Sequence, residues 1–178
     1  MSDRTVLLDH ITSKAIVRGT VTLSSGHEAD YYIDLRRITL DGGSSPLVGR
    51  VMRAVTSELA YDAVGGLTLG ADPVAAAMMH AAAADGERVD AFVVRKEGKA
   101  HGLQRRVEGP DVAGRRVLAV EDTSTTGGSV LTAVEALREA GAEVVAVAVI
   151  VDRGARAAVE SAGLRYVAAY EREELGLG

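Results

Sequence analysis

Residues 117–129 carry the side chains best suited to chemistry. They read Val-Leu-Ala-Val-Glu-Asp-Thr-Ser-Thr-Thr-Gly-Gly-Ser, an apolar run followed by two acids and then by hydroxyl-bearing residues and glycines. The carboxylates of Glu121 and Asp122 suit the hydroxyls of a sugar, or a magnesium ion shared with a diphosphate. They do not suit a phosphate, because like charges repel. The stretch therefore predicts a site for a phosphorylated sugar at the carboxyl end of a buried strand.

The hydroxyl-rich part of this stretch predicts where the phosphate binds. Ligands of parallel sheets lie beyond the carboxyl ends of the strands, and the unpaired N–H groups that begin a helix favour an anion. Glycines let the backbone approach closely. The expected phosphate-binding residues are Thr123, Ser124, Thr125, Thr126, Gly127, Gly128 and Ser129. The alternative is an ordinary strand, turn and helix N-cap. Two acids at the end of a buried strand would then lack a partner to offset their desolvation.

A second cluster is basic. Arg95, Lys96, Lys99 and His101 stand at the end of a predicted strand and the start of a polar loop over residues 97–110. Such a cluster suits a substrate with several negative charges. A long polar loop in a compact domain suggests a lid that excludes water. The alternative is a solvated basic surface loop.

Composition narrows the function classes. The chain has 178 residues, enough for one domain, with a net charge of −5 and no cysteine. The negative charge disfavours nucleic acid as a partner, and the absence of cysteine excludes disulfides and fits a reducing cytoplasm. No apolar run approaches the ~20 residues of a membrane span, and no leader-like apolar segment begins the chain. We expect a cytoplasmic protein without nucleic-acid or membrane partners.

Other kinds of site are disfavoured. His10, His27 and His80 are far apart in the sequence and predict no zinc site. Neither the GxGxxG fingerprint of dinucleotide-binding proteins nor the GxxxxGK[ST] loop of P-loop NTPases occurs.

Alternating strand and helix patterns position these clusters. They predict an α/β fold, a parallel sheet with helices on both faces. We expect one domain with a small N-terminal hood (residues 1–45, approximately) before a core over residues 46–178. Helices are predicted over residues 3–17, 47–59, 73–84, 130–140 and 155–161. Strands are predicted over residues 20–24, 31–35, 63–64, 90–94, 116–120, 144–151 and 165–169, with a turn at residues 65–66.

Residues 117–129 resemble the phosphoribosyl-diphosphate (PRPP) motif of the type I phosphoribosyltransferase family, which is a hydrophobic strand, two acids, a Thr/Gly-rich loop and a helix. Residues 95–102, Arg-Lys-Glu-Gly-Lys-Ala-His-Gly, resemble the catalytic loop of the orotate phosphoribosyltransferase branch. Residues 23–26 followed by 31–36 resemble that branch's base-side segment, and residues 151–153 resemble its orotate-contacting strand end. The matches follow the family order over most of the chain.

The resemblance implies the fold of that family and a reaction. The enzyme would transfer the 5-phosphoribosyl group from PRPP to orotate, giving orotidine 5′-phosphate and diphosphate with Mg²⁺, in de novo pyrimidine biosynthesis. It further implies a homodimer in which Lys96 and Lys99 reach the active site of the partner subunit.

The resemblance also implies residue roles. Lys99, Glu121 and Asp122 would be catalytic, and Thr125 and Arg153 would contact orotate. PRPP would be bound by Arg95, Lys96, Lys99, His101, Glu121, Asp122 and residues 123–129. Mg²⁺ would be held through the diphosphate of PRPP, with Asp122 as the candidate protein contact.

Three positions depart from the family pattern. The motif opens with Glu121 rather than the commoner Asp, and Gly70 and Ser24 stand where relatives carry lysine, with Asp72 near the first. Two alternatives remain, a purine-base phosphoribosyltransferase and a non-catalytic PRPP-sensing regulator. Arg153, which can grip a carboxylate through two parallel bonds, disfavours the first. The second is disfavoured because only about twenty residues precede the first predicted hood strand, too few for a nucleic-acid-binding element, and because the chain as a whole is acidic.

Overall fold

The computed structural model describes residues 1–22, 28–97 and 105–177, in which strands and helices alternate. The strands are β1 (Ile16–Thr22), β2 (Glu28–Ile33), β3 (Ala63–Leu67), β4 (Asp90–Val94), β5 (Val107–Glu108), β6 (Arg116–Ser124), β7 (Glu143–Asp152) and β8 (Tyr166–Glu171). The α-helices are α1 (Asp3–His10), α2 (Arg36–Thr39), α3 (Ser45–Val55), α4 (Ala71–Ala84), α5 (Gly128–Glu139) and α6 (Arg156–Ser161). A π-helix (Ile11–Ala15) follows α1, and a 3-10 helix (Arg172–Leu175) follows β8.

Six of these strands form one sheet in the order β5-β4-β3-β6-β7-β8. Every neighbouring pair is parallel except β4 and β5. One hydrophobic core lies under α1, α3 and α4, and a second lies under α5 and α6. The sheet is therefore covered on both faces, which explains why β7 is an unbroken apolar run. The predicted fold class is confirmed.

The hood packs on the first of these cores. Its two strands, β1 and β2, form a separate antiparallel sheet. Leu7, Ile33 and Ile38 of the hood are buried in the same cluster as Met52 of α3 and Met78 of α4. The hood thus shares apolar contacts with the helices that cover the main sheet.

The first predicted helix ends earlier than expected. Residues 16 and 17 belong to β1, where Ile16 pairs with Ile33 and Val17 pairs with Tyr32. Both are β-branched, which favours a strand once a partner is available. The predicted strand over residues 20–24 is correspondingly displaced, and its residues 23 and 24 lie outside the described part of the chain.

The predicted turn at residues 65–66 is wrong, since Gly65 and Gly66 lie inside β3. A Cβ atom at Gly65 would collide with the carbonyl oxygen of Phe92, and one at Gly66 would collide with that of Val120. These glycines are needed because the neighbouring strands approach closely, not because the chain turns. The connection to α4 comes later, at residues 68–70.

Two features near the predicted site also differ. The predicted loop over residues 97–110 contains β5, and the Arg95 N–H donates a hydrogen bond to the Arg106 carbonyl (2.8 Å). Strand β6 continues four residues beyond its predicted end, so that Ser124 pairs with Asp152 of β7. The sequence motif is therefore more strand and less loop than expected.

Candidate active site

The carboxyl ends of β4, β3, β6 and β7 meet at one edge of the sheet, where ligands of parallel α/β proteins bind. Residues 68–70 follow β3, residues 125–127 follow β6, and Arg153 follows β7. Arg95 and Lys96 follow β4. Of the predicted site residues, those within the described ranges therefore come together at this edge.

The two acids lie at its centre. Glu121 is only 6% exposed and Asp122 is half-buried. The Asp122 N–H donates to Glu121 Oε1 (3.2 Å), and the Thr123 N–H donates to Asp122 Oδ1 (2.7 Å). Burial, together with the charge of Asp122, raises the pKa of Glu121 to about 8. Burial also raises the pKa of Asp122, against the hydrogen bond from Thr123.

Gly70, a loop residue without a side chain, faces this acid pair. A Cβ atom at Gly70 would lie 2.5 Å from Glu121 Oε1 and 3.0 Å from Asp122 Oδ1. The Thr68 hydroxyl donates to Asp72 Oδ2 (2.7 Å), and Asp72 Oδ1 is buried with no hydrogen-bond partner among residues 1–22, 28–97 and 105–177. The charge of Asp72 contributes to the raised pKa of Glu121. The absence of a side chain at Gly70 thus leaves space for the two carboxyl groups, a role that the sequence alone did not reveal.

The predicted phosphate loop is open to solvent. Thr125, Thr126, Gly128 and Ser129 are exposed, and α5 begins at Gly128. Gly127 precedes it with a φ of 80°, which favours glycine. As at any helix start, the first N–H groups of α5 have no partner within the helix, so they can bind an anion.

The other two predicted members of the loop lie within β6. The Thr123 hydroxyl oxygen is buried, with no hydrogen-bond partner within the described ranges, and Ser124 is buried. The loop proper is residues 125–127. Strand pairing with β7, which the sequence pattern does not show, accounts for the difference.

Arg153 meets the hood. Its guanidinium carbon lies 5.9 Å from the centroid of the Tyr31 ring, and its buried Nε has no hydrogen-bond partner in the part of the chain that the structure describes. Its backbone N–H donates to the Ser124 carbonyl (2.9 Å). Tyr31 packs against the core cluster and also against Arg153, a candidate ligand-binding side chain.

The hood also places a positive charge where it acts electrostatically on the acids, a feature that sequence reasoning missed. Arg36 Nε donates to Asp34 Oδ1 (2.9 Å), and its terminal nitrogen donates to the Tyr32 hydroxyl (3.3 Å). The Arg36 charge lowers the pKa of Asp122, while that of Asp34 raises it. The only signal in the sequence is the alternate spacing of Asp34 and Arg36, which by itself indicates no more than a local ion pair.

The predicted basic cluster is only partly described. Arg95 is half-exposed, with a terminal nitrogen 3.6 Å from Glu108 Oε1, and Lys96 is exposed. Lys99 and His101 lie outside the described residues, as does Ser24. Arg95 and Lys96 stand at the end of β4, on the same edge as the acids.

The acid pair fits a magnesium ion that is shared with a substrate. Within residues 1–22, 28–97 and 105–177, no three side chains of the metal-binding types are grouped to hold a metal ion. A hard cation here would take one or two oxygens from Glu121 and Asp122 and the rest from substrate and water.

Two further observations concern the rest of the molecule. A groove of about 680 Å³ between residues 39–46 and α4 contains none of the predicted site residues. No helix in the described part of the chain is long and apolar enough to cross a membrane.

Comparisons with known proteins agree with this geometry. A family model described as "Phosphoribosyl transferase domain" matches residues 38–169. The orotate phosphoribosyltransferase of Streptomyces avermitilis is 70% identical over 177 residues, which cover 98% of this chain and 97% of that protein. The Mycobacterium tuberculosis orotate phosphoribosyltransferase, crystallised with Fe(III) dicitrate, superposes with a TM-score of 0.90 at 56% identity, covering 99% and 100% of the two chains. Its complex with PRPP gives a TM-score of 0.86 at 52% identity, with the same coverage.

The raised pKa of Glu121 predicts how stability depends on pH. In the protein without ligands or metal, the folded state holds a proton that the unfolded chain releases above the ordinary pKa of 4.5. The free energy of unfolding should therefore fall between about pH 4.5 and 8, by at most ~1.4 kcal/mol per pH unit for one proton. Glu121→Gln cannot ionise and should flatten this slope in urea titrations. Glu135→Gln, at an exposed position on α5, should keep it. A Glu121→Gln slope equal to the wild-type slope would contradict the assignment.

Proposed function

We propose that this protein combines orotate with PRPP, because the chain belongs to the orotate phosphoribosyltransferases of the phosphoribosyl transferase domain family. The products are orotidine 5′-phosphate and diphosphate. The enzyme is a glycosyltransferase of the pentosyltransferase type, and its reaction belongs to de novo pyrimidine biosynthesis. The observation that carries the proposal is the meeting at one sheet edge of an acid pair, a helix N-terminus and an arginine whose Nε has no hydrogen-bond partner among the described residues.

The acids and the loop after them bind the ribose 5-phosphate. The carboxylates of Glu121 and Asp122 accept hydrogen bonds from the ribose hydroxyls. The 5-phosphate lies at the start of α5, where backbone N–H groups and the hydroxyls of residues 125–129 donate to it. The open, solvent-facing loop supports this role, since a substrate phosphate can enter without rearrangement of the core.

The basic cluster binds the diphosphate. Displacement at C1 of the ribose passes through an oxocarbenium-like state, and negative charge builds on the departing diphosphate. Arg95, Lys96, Lys99 and His101 stabilise that charge, with Lys99 as the catalytic member. Magnesium, when bound with PRPP, neutralises part of the charge on the leaving group. Gly70 contributes no cation, so the diphosphate depends more on the basic cluster and the metal.

Arg153 and Thr125 bind orotate. A guanidinium grips a carboxylate through two parallel hydrogen bonds, and Arg153 Nε has no partner within the described structure. Orotate is already anionic at pH 7, so it needs orientation more than deprotonation. Tyr31 packs beside Arg153 and limits where its guanidinium can lie.

The active site is shared between two copies in a homodimer, with Lys96 and Lys99 reaching the partner's PRPP. The resemblance of residues 95–102 to the catalytic loop supports this arrangement, as does the exposure of Lys96. The enzyme works in the cytoplasm. A chain without cysteine fits that reducing compartment, because it cannot form disulfides.

Substrate choice tests the role of Arg153. Arg153→Ala should lower kcat/KM for orotate by roughly 2–5 kcal/mol of transition-state stabilisation, since one charge of a desolvated pair is lost. Uracil lacks the carboxylate, so it should be a poor substrate for the wild type. For the same reason, Arg153→Ala should hardly alter kcat/KM for uracil. Arg165→Ala, which removes an exposed arginine, is the control. The wild type and the two variants are compared in steady-state assays with PRPP, Mg²⁺ and either orotate or uracil. Adenine, guanine and xanthine are added as substrates to test the purine alternative. Equal turnover of orotate and uracil by the wild type would sink the assignment.

The space at Gly70 can be tested separately. Gly70→Ala should lower kcat/KM at least several-fold, because the new methyl displaces the carboxylates from the positions in which they meet ribose. The melting temperature should barely change, since the contacted atoms are the ends of side chains that can shift. Gly42→Ala, whose Cβ meets nothing within 4 Å, should match the wild type in both measurements. Unchanged activity in Gly70→Ala would show that the acids tolerate displacement.

Mixing two inactive variants tests the shared site. Lys99→Ala and Asp122→Asn should each lose on the order of 10²-fold or more in kcat/KM. Each heterodimer has one site with both wild-type residues and one with both defects. Random reassociation of equal amounts should therefore restore about a quarter of wild-type activity. No recovery, with subunit exchange confirmed by light scattering and a tagged subunit, would mean that Lys99 serves its own chain's site.

A further inference from the structure

Asp152, the last residue of β7, gathers three hydrogen bonds on one oxygen. Its Oδ1 accepts from the N–H groups of Gly154 (2.9 Å) and Ala155 (2.8 Å) and from the hydroxyl of Tyr166 (3.0 Å). The residue is 5% exposed. A carboxylate so buried is stable only with donors of this kind, and the reaction described above makes no use of it.

The bonds to Asp152 hold the backbone on the far side of Arg153. On the near side, the Arg153 N–H donates to the Ser124 carbonyl of β6 (2.9 Å). Gly154 allows the tight turn between them with a φ of 116°. Among the described residues, the Tyr31 ring, 5.9 Å from the guanidinium carbon, is what limits the side chain, because the Arg153 Nε has no hydrogen-bond partner there. Where the guanidinium lies therefore depends on how firmly this turn is held.

Tyr166 is the one side-chain donor to Asp152 among the described residues, and it is itself fixed. It is 6% exposed on β8, and the Arg156 guanidinium lies 5.0 Å from the centroid of its ring. Arg156 is in turn bound to Glu171 (2.6 Å). Burial and the adjacent Asp152 raise the pKa of Tyr166, so the hydroxyl remains a donor across the working pH range.

We infer that Tyr166 is a positioning residue for substrate recognition: through the carboxylate of Asp152 it fixes the turn that aims Arg153 at the carboxylate of orotate. The inference rests on the proposed function for the identity of the ligand. It adds a determinant on β8, the outermost parallel strand of the sheet.

A matched pair of substitutions on one strand tests it. Tyr166→Phe removes only the hydroxyl and should raise KM for orotate about three- to tenfold, with KM for PRPP within about twofold of the wild type. Tyr170→Phe is the control, because Tyr170 is also buried on β8 but donates to the Arg4 carbonyl (2.7 Å) in the other core. It should leave both KM values unchanged. Melting temperatures of the two variants show whether a general loss of stability explains any difference.

A double-mutant cycle separates positioning from a merely structural effect. If Tyr166 acts through Arg153, then Tyr166→Phe should have no further effect on kcat/KM for orotate in an Arg153→Ala background. An unchanged KM for orotate in Tyr166→Phe, or an equal loss in both backgrounds, would overturn the inference while the proposed function stands. A wild type that does not turn over orotate would instead overturn the function, and the inference with it.

Discussion

The candidate active site depends on the parallel pairing of β6 with β7 to the very end of both strands. Glu121 pairs with Val149, and Ser124 pairs with Asp152, so the acid pair and Arg153 are set by one hydrogen-bond register. A shift of one residue would turn the carboxylates to the opposite face. The buried, β-branched run of β7 resists such a shift, because its side chains interlock with helices on both faces. The same residues that stabilise the core thus fix the geometry of recognition.

That geometry places two acids where burial opposes their charge. Desolvation raises the pKa of both carboxyls, and Asp72 adds a third negative charge nearby. Within the described residues, the opposing charge comes from Arg36 of the hood, and the space comes from the missing side chain of Gly70. Burial costs the charged carboxylates their hydration. A ligand that brings hydroxyl donors or a cation to the pair is therefore favoured, because its contacts replace the lost water.

Much of this could be predicted from the sequence, since the signals are local. Strand β4 has the predicted bounds, and the acid–hydroxyl–glycine motif correctly marked the edge of the sheet. The failures involve partners that are distant in the chain. Gly65 and Gly66 were read as a turn because their true reason, the closeness of Phe92 and Val120, is not visible locally. The link from Tyr166 to Asp152 is likewise a contact between strands, which no spacing or composition reveals.

The short strand β5 has a consequence for how copies of the protein can meet. An exposed sheet edge invites strands from other molecules, and β5 offers only two residues there. Gly109, with a φ of 113°, then turns the chain, and Pro110 has no N–H to donate. This border of the sheet is therefore protected from edge-to-edge aggregation. Helix faces and loops are better suited than this strand edge to association on this side. Their side chains can distinguish one partner from another, whereas backbone hydrogen bonds at a strand edge do not.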